Sequence, residues 1–270
     1  MEPTEDSGRA DTRQLRCRRS AGSTCALLFA RYPEPGKVKT RLQSELQAVE
    51  IARLCEAFLL DSAALLAGCP AQRRVVCCTP AECQGAMREL LSPVAPLECR
   101  AQRGAGLGER LGEALDHEFG RGAGRAIVVG SDIPALPPVH LGAALDLLAE
   151  RDVVLGPSVD GGYYLVGARA GCHVGLFDGI DWSTPLVLRQ TVARLAGRSL
   201  GLLPVWYDVD TPADLRLLAG HLQALSLAGE EAAPRTLAVL RRLGLVPGSA
   251  DRLHSAADAS RAAALRSLCG

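Results

Sequence analysis

Residues 125–136, RAIVVGSDIPAL, pass from a run of aliphatic side chains to an acid and a proline within a few positions. Within the predicted strand 125–130, residues 126–129 form the continuous aliphatic run that is typical of a strand covered on both faces. Asp132 follows this run almost at once. The stretch therefore predicts a central strand of a parallel sheet with a carboxylate at its carboxyl end.

Similar apolar runs on both sides of this strand alternate with helical spacing of apolar residues. The further predicted strands are 24–30, 74–79, 97–101, 152–156, 163–167 and 202–207. The predicted helices are 44–67, 80–91, 107–119, 138–149, 184–196 and 212–225, the last one capped by Thr211. This alternation predicts an α/β fold with a mostly parallel central sheet between helices, in which ligands collect at the carboxyl ends of the strands.

The composition of the 270-residue chain excludes some function classes. Lys plus Arg equals Asp plus Glu, at 30 each, so we expect no bulk attraction to nucleic acid or to an anionic membrane. No apolar stretch approaches the ~18 residues of a membrane span. The 10 cysteines form no CxxC pair, which favours free thiols in a reducing compartment, and we expect a cytoplasmic protein.

Composition also suggests three segments. Residues 1–22 are predicted to be a disordered polar tail, and residues 23–226 a single α/β domain. Residues 227–270 are rich in Ala, Leu and Arg and are predicted to be a helical extension, with a helix over 230–243, followed by a loose tail.

A cationic loop follows the first predicted strand, in residues 29–42, FARYPEPGKVKTRL. Because anions commonly bind at this edge of an α/β sheet, the loop predicts a phosphate clamp. We assign to the clamp Arg31, Gly36, Lys37, Lys39 and Arg41. The alternative is an ordinary solvated loop. Neither GxxxxGK[ST] nor GxGxxG is present, so side-chain cations would neutralise the phosphates.

Acidic residues follow the central and last predicted strands. Asp132, opposite the cations, suits a divalent ion that bridges protein and phosphate, although an Asp before Ile-Pro is also a common turn residue. Asp208 and Asp210 would share one side of an extended segment, which suits a shared metal or a base with its partner. Asp210 also precedes Thr-Pro, which is typical of a helix start.

The remaining candidates lie in two loops. Asp160 precedes Gly161 and Gly162, a strong turn signal that would also let the backbone approach a ligand closely. Tyr163 and Tyr164 should point to opposite faces, so that one lines the cleft. In the second loop, Asp181 and Trp182 suit contacts with a sugar or base, although Trp182 is equally explained by packing.

Several motifs in the order found here resemble the DUF2064 family, which is glycosyltransferase-like and belongs to the GT-A nucleotide-diphospho-sugar transferase superfamily. The motifs are FARYPEPGKVKTRL at 29–42, GLGERL at 106–111, GSDIPAL at 130–136, DVVLGPSVDGGYYLVG at 152–167, LFDGIDWST at 176–184 and DVDTPADL at 208–215. The resemblance implies a Rossmann-like αβα sandwich over 23–226, with nucleotide phosphates on the cationic loop. It implies a metal at Asp132 and Asp210 and the second substrate at Asp160–Gly162. Asp132 stands alone after its strand, whereas many glycosyltransferases have a two-acid DxD at that place.

These residues together predict a transferase that depends on Mg²⁺ or Mn²⁺ and acts on a nucleotide-activated donor and a small-molecule acceptor. Our first hypothesis is glycosyl transfer from a nucleotide-sugar, with a carboxylate among Asp160, Asp208 and Asp210 as catalytic base. The substrate would contact Gly161, Gly162, Tyr163, Asp181 and Trp182. One alternative is nucleotidyl transfer from a nucleoside triphosphate to a phosphorylated metabolite with release of pyrophosphate. Another is a nucleotide-binding regulatory protein without turnover.

Overall fold

A computed structural model describes residues 22–247 and contains one seven-stranded sheet. The strands are β1 (Ser23–Arg31), β2 (Arg73–Thr79), β3 (Glu98–Ala101), β4 (Ala123–Gly130), β5 (Val153–Pro157), β6 (Tyr163–Arg169) and β7 (Leu200–Leu202). Their spatial order is β3-β2-β1-β4-β6-β5-β7. The stretch quoted above forms β4, near the middle of the sheet, as predicted.

The sheet is mostly parallel, which confirms the predicted fold class. β1 pairs in parallel with β2 and β4, β2 with β3, and β5 with β7. Only β6 runs antiparallel, against β4 and β5. Its first residue, Tyr163, therefore lies at the edge where β1, β4 and β5 end.

Helices cover both faces of the sheet and complete the predicted αβα sandwich. They are α1 (Ala48–Ala67), α2 (Gln84–Leu91), α3 (Leu107–Gly120), α4 (Val139–Glu150), α5 (Val187–Ala193), α6 (Pro212–Leu227) and α7 (Pro234–Arg242), with 3₁₀ turns at Thr40–Ser44 and Ala81–Cys83. Leu66 of α1 and Leu141 of α4 are buried in the core on one face. Leu111 and Leu115 of α3 are buried in the core on the other.

Several predicted boundaries were wrong. The last strand is Leu200–Leu202 instead of 202–207, because Pro204 cannot donate a ladder hydrogen bond. After Pro204, Trp206 makes a single bridge to Ser158. α1 begins only after Gln47, which forms a capping box with Glu50. The helix predicted over 184–196 is reduced to α5.

The predicted cap of α6 is confirmed. The Thr211 hydroxyl accepts from the backbone N–H of Asp214, and the Asp214 carboxylate accepts from the backbone N–H of Thr211 at 2.7 Å. This reciprocal pair satisfies two N–H groups at the start of the helix. It also fixes where the chain leaves the segment that holds Asp208 and Asp210.

The predicted C-terminal helix is present as α7 and packs against α1. Leu240 is fully buried in a third core that includes Phe58 of α1. Asp61, also buried, accepts a hydrogen bond from the backbone N–H of Thr236 at 2.8 Å. The predicted N-terminal tail, except Gly22, and the predicted C-terminal tail, except Pro247, lie outside the described residues.

Seven cysteines are free thiols, which confirms the prediction for them: Cys25, Cys55, Cys69, Cys77, Cys78, Cys83 and Cys99. Burial is the largest factor that raises the pKa of each of them, so these thiols are poor nucleophiles at neutral pH. Cys172 is disulfide-bonded, so the prediction is wrong for that residue. Among residues 22–247, no helix has both the length and the apolar character needed to span a membrane.

Candidate active site

A cleft of about 840 Å³ opens at the carboxyl ends of β1 and β4. Most of the predicted site residues line it: Arg31, Lys37, Lys39, Arg41, Asp132, Asp160, Gly162, Tyr163, Trp182, Asp208 and Asp210. These residues come from five separate segments of the chain. The sheet topology brings them together because β1, β4 and β5 end at this edge and β6 begins there.

The cationic loop forms one wall of the cleft. Arg31, Lys37 and Arg41 are exposed at its rim, and Lys37 also pairs with Glu34 at 2.7 Å. Gly36 has a φ of 78°, a left-handed conformation that glycine adopts without strain, and it shapes the turn without lining the cleft. The rim thus offers positive charge to a polyanionic ligand.

Lys39 differs from the rim cations because it points into the carboxylates. Its side chain is only 16% exposed, and its Nζ lies 2.9 Å from Asp132 Oδ2. It also forms an ion pair with Asp210. Burial by itself disfavours the charged ammonium, but these two carboxylates outweigh that cost and hold the pKa of Lys39 above its usual value.

Asp208 joins the two partners of Lys39 to form a cluster of three carboxylates, so Asp132 is not alone. One oxygen from each of Asp132, Asp208 and Asp210 lies within 4.8 Å of the others. The backbone N–H of Val209 donates to the carbonyl of Asp132 at 3.0 Å and ties the two segments together. The second and third acids therefore come from the segment after β7, about 76 to 78 residues after Asp132; the sequence showed them as candidates, but it did not show that they lie next to Asp132.

The three carboxylates have different proton affinities. Burial would raise the pKa of Asp132, but the Lys39 ammonium more than compensates and holds that pKa below its usual value. Burial and then the charge of Asp132 raise the pKa of Asp208 to about 6. Ser158 donates to Asp208 Oδ1 at 2.7 Å. An oxygen-rich set with surplus negative charge suits Mg²⁺ or Mn²⁺, which prefer carboxylate ligands.

The turn Asp160–Gly162 is fixed against the segment that follows Trp182. Gly161 has a φ of 89°, and a Cβ there would lie 2.5 Å from the carbonyl oxygen of Pro185. The carbonyl of Gly161 accepts from the backbone N–H of Leu188 at 2.9 Å. Gly161 thus serves close packing of protein on protein, while Gly162 and Asp160, whose Oδ1 accepts from the Gly162 N–H, line the cleft.

The aromatic candidates divide between the two faces of β6. Tyr163 packs with Trp182, ring centroids 6.3 Å apart, on the face of α3. Tyr164 is 5% exposed on the other face and donates to the carbonyl of Pro204. Both tyrosines and Trp182 contribute to the cleft wall. Asp181 does not line the cleft; its carboxylate accepts from the Gln190 amide at 2.7 Å.

The polar cleft residues that sequence reasoning missed include Gln102, Arg110 and Ser158. Ser158 and Arg110 lie inside the quoted motifs SVDGG and GLGERL, so those motifs carried a signal for them. Gln102 lies in an unremarkable stretch after the weak strand β3, and only the sheet order brings it to the cleft.

Comparisons with known proteins identify relatives of this chain. The model of a family described as "uncharacterized protein conserved in bacteria (DUF2064)" matches residues 62–184. A 3-phospho-D-glycerate guanylyltransferase of Phenylobacterium zucineum is 38% identical over 184 residues, which is 65% of this chain and 81% of that protein. A phosphoenolpyruvate guanylyltransferase of Sphaerobacter thermophilus is 32% identical over 123 residues, 44% of this chain, and the match spans only 58% of that relative.

A crystal structure from Desulfovibrio desulfuricans G20, described as a "putative nucleotide-diphospho-sugar transferase", is similar over most of its length. It is 36% identical, with a TM-score of 0.73, and the match covers 81% of this chain and 94% of that one. The fold is therefore shared well beyond the segment that the family model matches. The chain belongs to the DUF2064 family, within the nucleotide-diphospho-sugar transferase fold.

Proposed function

We propose that this protein is a nucleotidyltransferase that joins a nucleoside monophosphate unit to the phosphate of a small phosphorylated carboxylic acid. The observation that carries the proposal is the convergence of Asp132, Asp208 and Asp210 with Lys39 in one cleft with a cationic rim. The two curated guanylyltransferases, whose names give phosphoenolpyruvate and 3-phospho-D-glycerate as acceptors, support the class of reaction. We take these two compounds as the first acceptors to test.

In this reaction a phosphate oxygen of the acceptor attacks the α-phosphorus of the nucleoside triphosphate. A new O–P bond forms, the bond from the α-phosphorus to the bridging oxygen breaks, and the electron pair leaves with pyrophosphate. The acceptor phosphate is already deprotonated at neutral pH, so the step needs no catalytic base. What it needs is compensation of the negative charge on the triphosphate.

The side chains of the cleft match this need. Asp132, Asp208 and Asp210 would hold a divalent ion, whose chemistry is to neutralise the phosphate oxygens and stabilise the leaving group. Arg31, Lys37 and Arg41 would bind the outer phosphates from the rim. Lys39 is more buried than the rim cations, and it would offset the negative charge of both the carboxylates and the phosphates.

Glycosyl transfer is the second candidate, and two observations favour it. The similar structure from Desulfovibrio has a description of that kind. The raised pKa of Asp208, about 6, would suit a base that takes a proton from an acceptor hydroxyl. Asp160 lines the same cleft and would be the neighbouring carboxylate in that reaction.

One assay separates the candidates. The protein is incubated with each nucleoside triphosphate, Mg²⁺ or Mn²⁺, and phosphoenolpyruvate or 3-phospho-D-glycerate; we expect release of pyrophosphate that requires the acceptor. A parallel panel of nucleotide-sugars that yields nucleoside diphosphate, with no pyrophosphate from the first panel, would establish glycosyl transfer instead. Tight binding of nucleotides with neither product would establish a regulatory protein. Asp132→Asn serves as the inactive control in both panels.

A further inference from the structure

Gln102 occupies the end of the cleft that is remote from the carboxylates. It directly follows β3, and its backbone N–H continues the sheet by donating to the carbonyl of Cys78 on β2 at 2.8 Å. Its side chain reaches across β2 as far as the carbonyl of Ala30 on β1. Asp132 follows β4, on the other side of β1. Neighbouring strands are ~4.8 Å apart, so one to two strand spacings, about 5–10 Å, separate the amide from the segment of Asp132, a distance on the scale of a nucleoside.

The side-chain amide of Gln102 has a defined orientation. Its Nε2 donates to the carbonyl oxygens of Cys77 at 2.8 Å and of Ala30 at 3.4 Å. Both neighbours are acceptors, so the NH₂ group must face them. Within residues 22–247, no donor is hydrogen-bonded to Oε1. The Gln102 side chain thus presents a fixed, neutral acceptor in the wall of the cleft.

A fixed neutral acceptor suits an N–H donor better than it suits a phosphate or a carboxylate. Guanine presents two such donors side by side, N1–H and the 2-amino group. Adenine places the lone pair of N1 and a C–H at these positions, so an acceptor aimed there disfavours it. Phe29, Ala30 and Thr79, which line the cleft on the neighbouring strands, add no charged group, and the nearest charge there is Arg31, which pairs in register with Thr79.

We propose that Gln102 selects the base of the nucleotide, with its Oε1 accepting a hydrogen bond from the N1–H and 2-amino edge of guanine. This inference rests on the proposed function. It places the base over β1 and β2, the triphosphate beside Lys39 and the carboxylates, and the acceptor at the opposite end of the cleft, near Trp182 and Thr184.

The test compares GTP and ATP in the wild-type protein, in Gln102→Met and in Gln84→Met. Gln84 is the matched control: its Nε2 also donates to a backbone carbonyl, that of Cys99 at 2.7 Å, but it does not line the cleft. We expect wild type and Gln84→Met to prefer GTP in both KM and Kd. In Gln102→Met the preference for GTP over ATP should fall about tenfold, which is the effect of losing one hydrogen bond. The KM of the acceptor should not change.

Direct binding keeps the two proposals separate. If no triphosphate yields pyrophosphate, the proposed function fails, while the Kd values from calorimetry with Mg²⁺ still test Gln102. A Gln102→Met protein that retains the full preference for GTP, or one in which the KM of the acceptor rises instead, overturns the inference. Wild-type protein provides a measurement that does not depend on the folding of a variant: equal Kd values for GTP, ITP and ATP also overturn it.

Discussion

Two clusters of charged residues lie at opposite ends of β1. We call Glu118, Arg73, Arg100 and Cys25 the basal cluster, and Lys39, Asp132, Asp208 and Asp210 the cleft cluster. Cys25, near the start of β1, donates to Glu118, and Arg31, its last residue, lines the cleft. One strand therefore connects two sites that both pair carboxylates with basic side chains.

The clusters differ in how completely their charges are satisfied. Glu118 is 0% exposed, and its two oxygens accept from Arg73 at 2.8 Å and from Arg100 at 3.0 Å, so a single anion has more than enough partners. The cleft cluster has three carboxylates for one buried ammonium, and Asp132 and Asp210 remain 37% and 41% exposed. A saturated ion network stabilises a structure, whereas a cluster with surplus charge next to open space is suited to bind a cation.

The largest effect on stability is expected from the basal cluster. Glu118→Ala leaves two arginines without their buried partner and should lower the free energy of unfolding by about 3–5 kcal/mol, measured by urea denaturation. The control is Glu98→Ala, which removes the exposed Arg121–Glu98 pair and should cost no more than about 1 kcal/mol. Equal losses in the two variants would show that the basal cluster is not the stabilising one.

The next effect concerns turnover and comes from the cleft cluster. Asp132→Asn preserves size but removes a charge, so we expect a loss of about 10²–10³-fold in kcat with little change in Tm. Asp146→Asn, at an exposed position on α4, is the matched control. A metal titration of Asp132→Asn that follows the wild-type curve would contradict the assigned role of this carboxylate.

Lys39 should affect metal and nucleotide in opposite directions. Lys39→Met removes the ammonium that competes for Asp132 and Asp210, so Mn²⁺ alone should bind roughly tenfold more tightly, measured by calorimetry. The affinity for GTP should fall because a phosphate contact is lost. Lys37→Met is the control, since Lys37 is 61% exposed and pairs with Glu34; its Mn²⁺ affinity should not change. Weaker Mn²⁺ binding by Lys39→Met would show that the Lys39 ammonium does not compete with the metal ion for Asp132 and Asp210.

The smallest expected effect is a pH dependence of stability in the metal-free protein. Burial and the charge of Asp132 raise the pKa of Asp208 to about 6, above its unfolded value of 3.8. The folded state therefore holds this proton more tightly, and its contribution to stability declines as the pH rises from about 4 to about 6. The difference in unfolding free energy between wild type and Asp208→Asn should change over this window. If the unfolding free energies of the two proteins change in parallel with pH, the pKa of Asp208 is not raised.

Local patterns in the sequence were sufficient for the framework of the fold. The aliphatic run of β4, the alternation of strands and helices, and the Thr211 cap are short-range signals, because burial on both faces and helix capping depend on neighbouring residues. The same is true of the cationic loop and of Asp132, each of which directly follows a recognisable strand. Boundaries at Gln47 and Pro204 were missed because a cap or a single proline decides them.

What only the tertiary structure decided is which charges meet. Asp208 and Asp210 complete the set around Asp132 because a backbone hydrogen bond from Val209 ties together segments that are distant in the sequence. Gln102 reaches the same cleft through the order of strands β3, β2 and β1, and Lys39, unlike Lys37, turns inward to the carboxylates. Electrostatic pairing acts through space, so the sequence supplied the groups but the packing of the sheet determined their partners.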